Sequence, residues 1–274
     1  MKKIIGLAFI EFLFALTLGL LSLAVTYEIY LSAYHAYQLQ MAFHHIQQNA
    51  KLSIHLLNTA IKEAGKIGCM QLTENYPLLS YSLYSMTAKN KLIGIGKNEL
   101  IVRHIQLPTS TLIRPIQNHS IIFTDTSLAV TAGDILLISD CKHAELFVVS
   151  HVNTSHEEEI ITSYTPLQYD YDASAELGRL KIERFYVAKT AYKNPDGSFI
   201  FSLFSEEMIK KRKQELVSHL NAMRFLFTLN LNGRLVTLTA DDVNDWSQVI
   251  AVSIELEFNY PLLKTTWYDD VTIN

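Results

Sequence analysis

The chain has 274 residues, a net charge of −4 and a mean hydropathy of +0.13. That length allows one substantial domain beyond an anchor, or at most two small ones. The charge offers no basic surface to a nucleic acid, and there is no low-complexity tract or fixed-period repeat.

Residues 1–28 carry the first pattern. Lys2 and Lys3 lead into Gly6, and a single carboxylate, Glu11, sits in an apolar run that meets no further charge until Glu28. A charge near the middle of a membrane helix costs about 2.5–3.5 kcal/mol and is usually functional and partnered. If the chain is cut after Gly6, Leu7 becomes the N-terminus and Glu11 the fifth residue, one helical turn from the new amine. The amine and the acid then compensate each other, within one chain or between neighbours. A secretory signal cut after Ser22-Leu23-Ala24 fits the loose small-x-small rule, but such a signal keeps charge out of its apolar core. A plain anchor is nearly supplied by Phe12–Thr26 and its flanks, yet gives no reason for Glu11 or Gly6.

The basic leader, Gly6, the apolar Leu7 and Glu11 resemble the class III signal of type IV pilins and type II secretion pseudopilins, with Leu7 where that family usually has Phe. The resemblance implies cleavage between Gly6 and Leu7 by a prepilin peptidase and N-methylation of Leu7.

From Ser32 to Ala64 there is no Pro or Gly. Leu39, Phe43, Ile46, Ala50, Leu57, Ala60 and Ala64 recur at alternating four- and three-residue spacings, with Ser53 in the gap, which predicts an amphipathic helix. Gly65 and Gly68 end it. The expectation is a leader at 1–6, a helix at 7–65 (about 7–31 in the membrane, 32–65 amphipathic), roughly 85 Å long, and a head at 66–274.

Past about residue 90 the period becomes two. Strands are predicted at 100–105, 120–123, 134–139, 144–150, 160–163, 180–187, 199–204, 223–230, 234–239 and 249–258. Asn194-Pro195-Asp196-Gly197 and Leu231-Asn232-Gly233 read as hairpin turns. Ser205–His219 reads as a short charged helix. The predicted class is α+β, with an antiparallel sheet packed on the amphipathic half of the helix. Cys69 and Cys141 are the only cysteines, and in an exported domain such a pair predicts one disulfide, against two buried thiols. Its loop closure would add about 4 kcal/mol by chain entropy.

Four segments resemble the PilW family of minor pilins: Gln47-Gln48-Asn49-Ala50-Lys51 with Glu63–Cys69, Gly133–Cys141 with Ala144 to Phe147, Arg184–Ala188, and Asp245–Val252. The family often has Gly at the position of Ala50, and Gln106–Ala132 is insertion-like. The resemblance implies a subunit that primes type IV pilus assembly at the inner membrane and ends at the pilus tip. Its partners would be other minor pilins, the major pilin, a PilY-type tip adhesin, the assembly platform and the prepilin peptidase, in adhesion and twitching motility. A type II secretion pseudopilin shares the anchor. A membrane-anchored periplasmic binding protein or enzyme is the reading from a different class.

No Gly-x-Ser-x-Gly, phosphate loop, dinucleotide fingerprint or His-Glu-x-x-His is present, so neither an enzyme nor a cofactor is expected. His44 and His45 are adjacent and face different sides of a helix. Glu157–Glu159 reads as a solvated loop, and Trp246 as core. Asp241-Asp242-Val243-Asn244-Asp245 clusters oxygens that hard cations favour, but lacks the spacing and glycine of an EF-hand, so a turn or cap is expected and no metal.

Overall fold

The computed structural model of the chain describes residues 4–67, 70–71, 78–79, 92–94, 99–116, 118–155, 158–231, 233–245, 248–261 and 263–272. A single unbroken helix, α1 (Ile4–Glu63), runs without proline into the head. It stops where Gly65 takes the left-handed φ of 76° and turns its N–H to the Arg103 carbonyl at 2.8 Å. Glycine adopts that conformation at no steric cost.

The strands follow in chain order: β1 (Lys66–Ile67), β2 (Met70–Gln71), β3 (Leu78–Leu79), β4 (Leu92–Gly94), β5 (Glu99–Thr111), β6 (Ile121–Thr124), β7 (Ile135–Ser139), β8 (Ala144–Thr154), β9 (Glu159–Ser163), β10 (Glu176–Lys193), β11 (Phe199–Glu207), β12 (Arg212–Ser218), β13 (Leu220–Leu231), β14 (Arg234–Thr239), β15 (Val249–Tyr260) and β16 (Leu263–Thr272). β10 is the spine of the larger sheet. β5 lies along one edge of it, and the other edge is shared by β7 at Glu176–Arg179 and then by β11 from Glu183 onward. The smaller sheet has the order β14-β13-β15-β16. Among the described residues every strand pairing is antiparallel except the short β3–β8 contact.

The amphipathic half of α1 covers both sheets. Ile46, Ala50, Leu57 and Ile61 pack with Leu100, Phe185 and Leu203 of the larger sheet and Phe225, Ile254 and Phe258 of the smaller. Each such side chain contributes about 1.5–3 kcal/mol when fully buried. A second core, around Phe147, Ile161 and Tyr171, lies beyond the helix and is built by β6–β9 and their loops. β7 is buried along its whole length because Leu136 and Ile138 face this core while Ile135 and Leu137 face a third cluster. That two-sided burial is why its sequence is a continuous apolar run.

Two contacts show how the strands run relative to the helix. His45 stacks on Tyr260, and Asn58 Nδ2 donates to Asp269 Oδ2 at 2.7 Å, with Asp269 opposite Ile254. From His45 to Asn58 is about 20 Å of helix, and from Tyr260 to Ile254 about 20 Å of strand. The strands of the smaller sheet therefore lie close to the helix axis.

The α+β arrangement of a long apolar N-terminal helix packed on antiparallel sheet matches the expectation, and the ten expected strands all form, several of them longer. One expected helix does not. Ser205–His219 is the end of β11, a turn with Lys211 at φ 53°, and β12. Glu206 faces Lys213 and Glu207 faces Arg212 across the pair. Cross-strand opposite charges stabilise a sheet edge that charged side chains also protect from further pairing. β16 is a strand that the apolar pattern did not reveal. Its inward positions are Leu263, Thr265, Trp267, Asp269 and Val271, and polar Asp269 is accepted there because Asn58 bonds it. The helix stripe is also shorter than its pattern. Leu39 and Phe43 are about half exposed, because Leu39 precedes the first buried helix residue, Ala42, and Phe43 lies at the margin of the face that Ala42, Ile46 and Ala50 bury.

Candidate anchoring and assembly site

α1 begins at Ile4, so the backbone at Gly6 and Leu7 is helical. From Phe9 to Leu23 the side chains stand clear of the rest of the chain, and Phe9, Phe12, Phe14, Leu18, Leu21 and Leu23 are each more than 60% exposed. The helix is long and apolar enough to cross a membrane. Glu11 is exposed within this stretch. The polar side chains around it are self-satisfied: Thr17 Oγ1 donates to the Phe14 carbonyl at 2.9 Å and Thr26 Oγ1 to the Ser22 carbonyl at 2.8 Å. Such back-bonding lets a hydroxyl sit in oil. Glu11 has no such recourse, since a carboxylate can only accept.

Above the apolar run, Tyr27, Tyr30, Tyr34 and Tyr37 recur at three- and four-residue spacing and are all exposed. Tyr30 and Tyr34 stack at 6.3 Å. Their spacing puts them on one face, where tyrosines characteristically mark a membrane–water interface.

The head is fastened to α1 at both ends of the amphipathic half. At the end nearer the apolar run, Asn49 Nδ2 donates to the Ser218 carbonyl at 3.0 Å, and the Tyr260 ring contacts both His45, stacked at 5.7 Å, and His219, tilted at 4.6 Å. His219 takes φ 63°, and burial, aided by His45, pushes its pKa down. At the far end, buried His104 lies 3.6 Å from Glu63 with its Nδ1 3.0 Å from the Ile105 carbonyl. Burial is the largest influence on His104 and lowers its pKa despite the nearby Glu63.

Of the four segments that carry the PilW resemblance, Gln47–Lys51 lies on α1 and the other three contribute to strands. Gly133–Cys141 supplies β7, Arg184–Ala188 the middle of β10, and Asp245–Val252 the start of β15. Arg184 pairs with Glu99 and, at 3.5 Å, with Glu206. Cys141 takes part in a disulfide. Cys69, the partner expected from the sequence, lies outside the described residues, as do Gly68, Trp246, His156 and Glu157.

The Glu157–Glu159 reading needs correction. Glu158 pairs with Arg114 at 2.6 Å, but Glu159 opens β9 and is buried. Another buried acid gave no sequence signal at all. Glu145 on β8 accepts the backbone N–H groups of Gln168 and Tyr169 at 2.7–2.9 Å, bracing a loop across the second core. In the acidic run, Asp242 accepts from Thr239 Oγ1 at 2.6 Å and Asp245 from Gln248 Nε2 at 2.9 Å, so both carboxylates bond side chains within the local turn, and Thr239 makes no side-chain cap bond. Among the described residues no group of three or more His, Cys, Asp or Glu side chains could hold a metal. A cleft of about 280 Å³ beside Gly133 and Lys210 contains Arg179, whose guanidinium is already engaged by Asp134 at 3.0 Å and the Ala129 carbonyl at 2.6 Å. No known protein family, characterised protein or solved structure matches the chain.

Proposed function

We propose that this chain is a minor pilin of the PilW type, which helps to prime type IV pilus assembly at the inner membrane and is carried to the pilus tip. One observation carries the reading: a single continuous helix is bare and apolar through its first half, with the exposed Glu11 carboxylate inside the apolar run, while its second half is the spine of an antiparallel head. Cleavage between Gly6 and Leu7 by a prepilin peptidase, with N-methylation of Leu7, frees an amine that Glu11 neutralises, on its own chain or on a neighbour. The bare helix is soluble only in lipid or among like helices, so a bundle of pilin helices accepts it when it leaves the bilayer. The head, held rigidly at both ends of the amphipathic half, supplies the contacts to other minor pilins, the major pilin and a PilY-type adhesin. The reading requires no catalytic group, cofactor or metal.

Replacement of Glu11→Ala or Gly6→Ala is expected to remove the chain from sheared filaments while the membrane-bound head stays folded and protease-resistant. Normal recovery of either variant in filaments would contradict the proposal.

A further inference from the structure

The smaller sheet has a free edge. β14 pairs with β13 on one side and, among the described residues, with no strand on the other. Leu231 and Arg234 close a two-residue turn in which Gly233 takes φ 84°. The doubly bonded pairs of this hairpin therefore fall at Leu231–Arg234, Leu229–Val236 and Phe227–Leu238. The N–H groups of Leu235, Thr237 and Thr239, and the carbonyls of Leu235 and Thr237, point away from β13. The helix does not cover this hairpin. Phe225 lies opposite Ile254, which is level with Asn58 through Asp269. From Phe225 to Leu231 is about 20 Å of strand, whereas α1 runs only about 8 Å beyond Asn58 before it ends at Glu63.

Natural sheets guard such edges with charge. β12 does so with exposed Arg212, Lys213 and Glu215, and β16 with Asp269 and Asp270 beside α1. β14 has no charge, proline or glycine from Leu235 to Thr239. Leu235 is 68% exposed, and Val236 and Leu238 are only half-buried on the inner face. On the outer face Thr237 Oγ1 lies 3.2 Å from Thr228 Oγ1, the start of a hydroxyl ladder that stops at the edge. Charges stand only at the two ends. Arg234 opens the strand, Asp241 follows it, both are exposed, and neither has an ion partner among the described residues.

We infer that the β14 edge takes up an extended segment of a partner protein as a fifth, antiparallel strand. The segment is defined by what it meets. Hydroxyl-bearing residues suit the positions opposite Leu235, Thr237 and Thr239, and apolar residues complete the cover of Val236 and Leu238. A base belongs at its N-terminal end beside Asp241, and an acid at its C-terminal end beside Arg234. The β14 of a second copy does not fit this place. Antiparallel pairing of two β14 strands in one sheet sets a two-fold axis normal to the sheet, and the two α1 helices, which lie along the strands, then point in opposite directions. That exclusion, alone among these steps, rests on reading α1 as a membrane span.

The probe is the peptide acetyl-Lys-Thr-Val-Thr-Val-Thr-Asp-amide, added to the full chain in detergent while hydrogen exchange is followed residue by residue. It is expected to slow the amides of Leu235, Thr237 and Thr239 and to leave those of Val236 and Leu238, already bonded to β13, unchanged. The charge-reversed peptide acetyl-Asp-Thr-Val-Thr-Val-Thr-Lys-amide should bind about fivefold more weakly, and Arg234→Glu with Asp241→Lys should invert that preference. Thr237→Pro removes one outward donor from an edge strand, a position where proline is tolerated, and should weaken the first peptide about tenfold. No slowing at millimolar peptide, or a charge preference that the double substitution fails to invert, would overturn the inference. Slow exchange at the same three amides without peptide, increasing with protein concentration, would assign the edge to a second copy and overturn it too. Neither result touches the proposed pilin role, which recovery in filaments tests separately.

Discussion

Ser53 is the clearest place to test how the helix holds the head. It occupies the buried stripe of α1 between Ala50 and Leu57, is 0% exposed, and its hydroxyl has no hydrogen-bond partner. Burying an unpaired hydroxyl costs about 1–3 kcal/mol, and serine is roughly 0.5 kcal/mol less favourable than alanine in a helix interior. Ser53→Ala removes one oxygen and opens no cavity large enough to offset those gains. The substitution should therefore stabilise the protein by about 1–2 kcal/mol net. For a chain of this size that is a rise of about 3–6 °C in Tm, followed by near-ultraviolet circular dichroism of the full chain in detergent. Leu57→Ala, one turn further along the stripe and also 0% exposed, should lose about 2.7–5 kcal/mol in the same assay. A lowered Tm for Ser53→Ala would refute the reasoning, because it would mean that the hydroxyl makes a bond on which the helix–sheet contact depends.

Gly178 on β10 is opposed so closely by β5 that a Cβ there would collide with Ile105 Cγ2. Gly178→Ala should cost about 1–3 kcal/mol by overpacking, read as an earlier denaturant midpoint, and an unchanged midpoint would mean β5 yields freely. Glu145→Leu leaves the partly buried Gln168 and Tyr169 amides without their acceptor and should cost about 1–3 kcal/mol, with accelerated hydrogen exchange at those two amides as its local signature. Acid should weaken the head. The folded state holds His104 and His219 below the usual histidine range, so the neutral forms are favoured on folding. Their contribution is complete above about pH 6.5 and falls as the pH drops through the lowered native values. Unfolding free energy measured from pH 7.5 to 5 should decline, and His219→Asn should flatten the curve.

The fold was legible wherever one physical signal dominated. The apolar run of α1, the two-sided burial of β7 and the Asn194–Gly197 turn each have one cause, and each emerges at its expected place. Reading fails where two causes compete. The charge-rich stretch from Ser205 to His219 has helix-forming residues, yet edge pairing with β11 makes it a strand. β16 alternates correctly, but Asp269 occupies an inward position because Asn58, far away in sequence, compensates it. Glu145 looks like any strand acid, and its role depends on two amides that arrive from a distant loop. The candidate site was legible in residues and not in geometry. Gly6, Leu7 and Glu11 announce themselves by spacing, while the fastening of the head through His45, Tyr260 and His219 required the fold.

The most direct test is the intact mass of the N-terminal peptide from the membrane-bound protein. A chain that begins at Leu7 and carries one added methyl group is the result required if Glu11 is compensated by a freed amine. A chain that still begins at Met1, or one that begins after Ala24, would leave Glu11 without its donor and contradict the assembly mechanism.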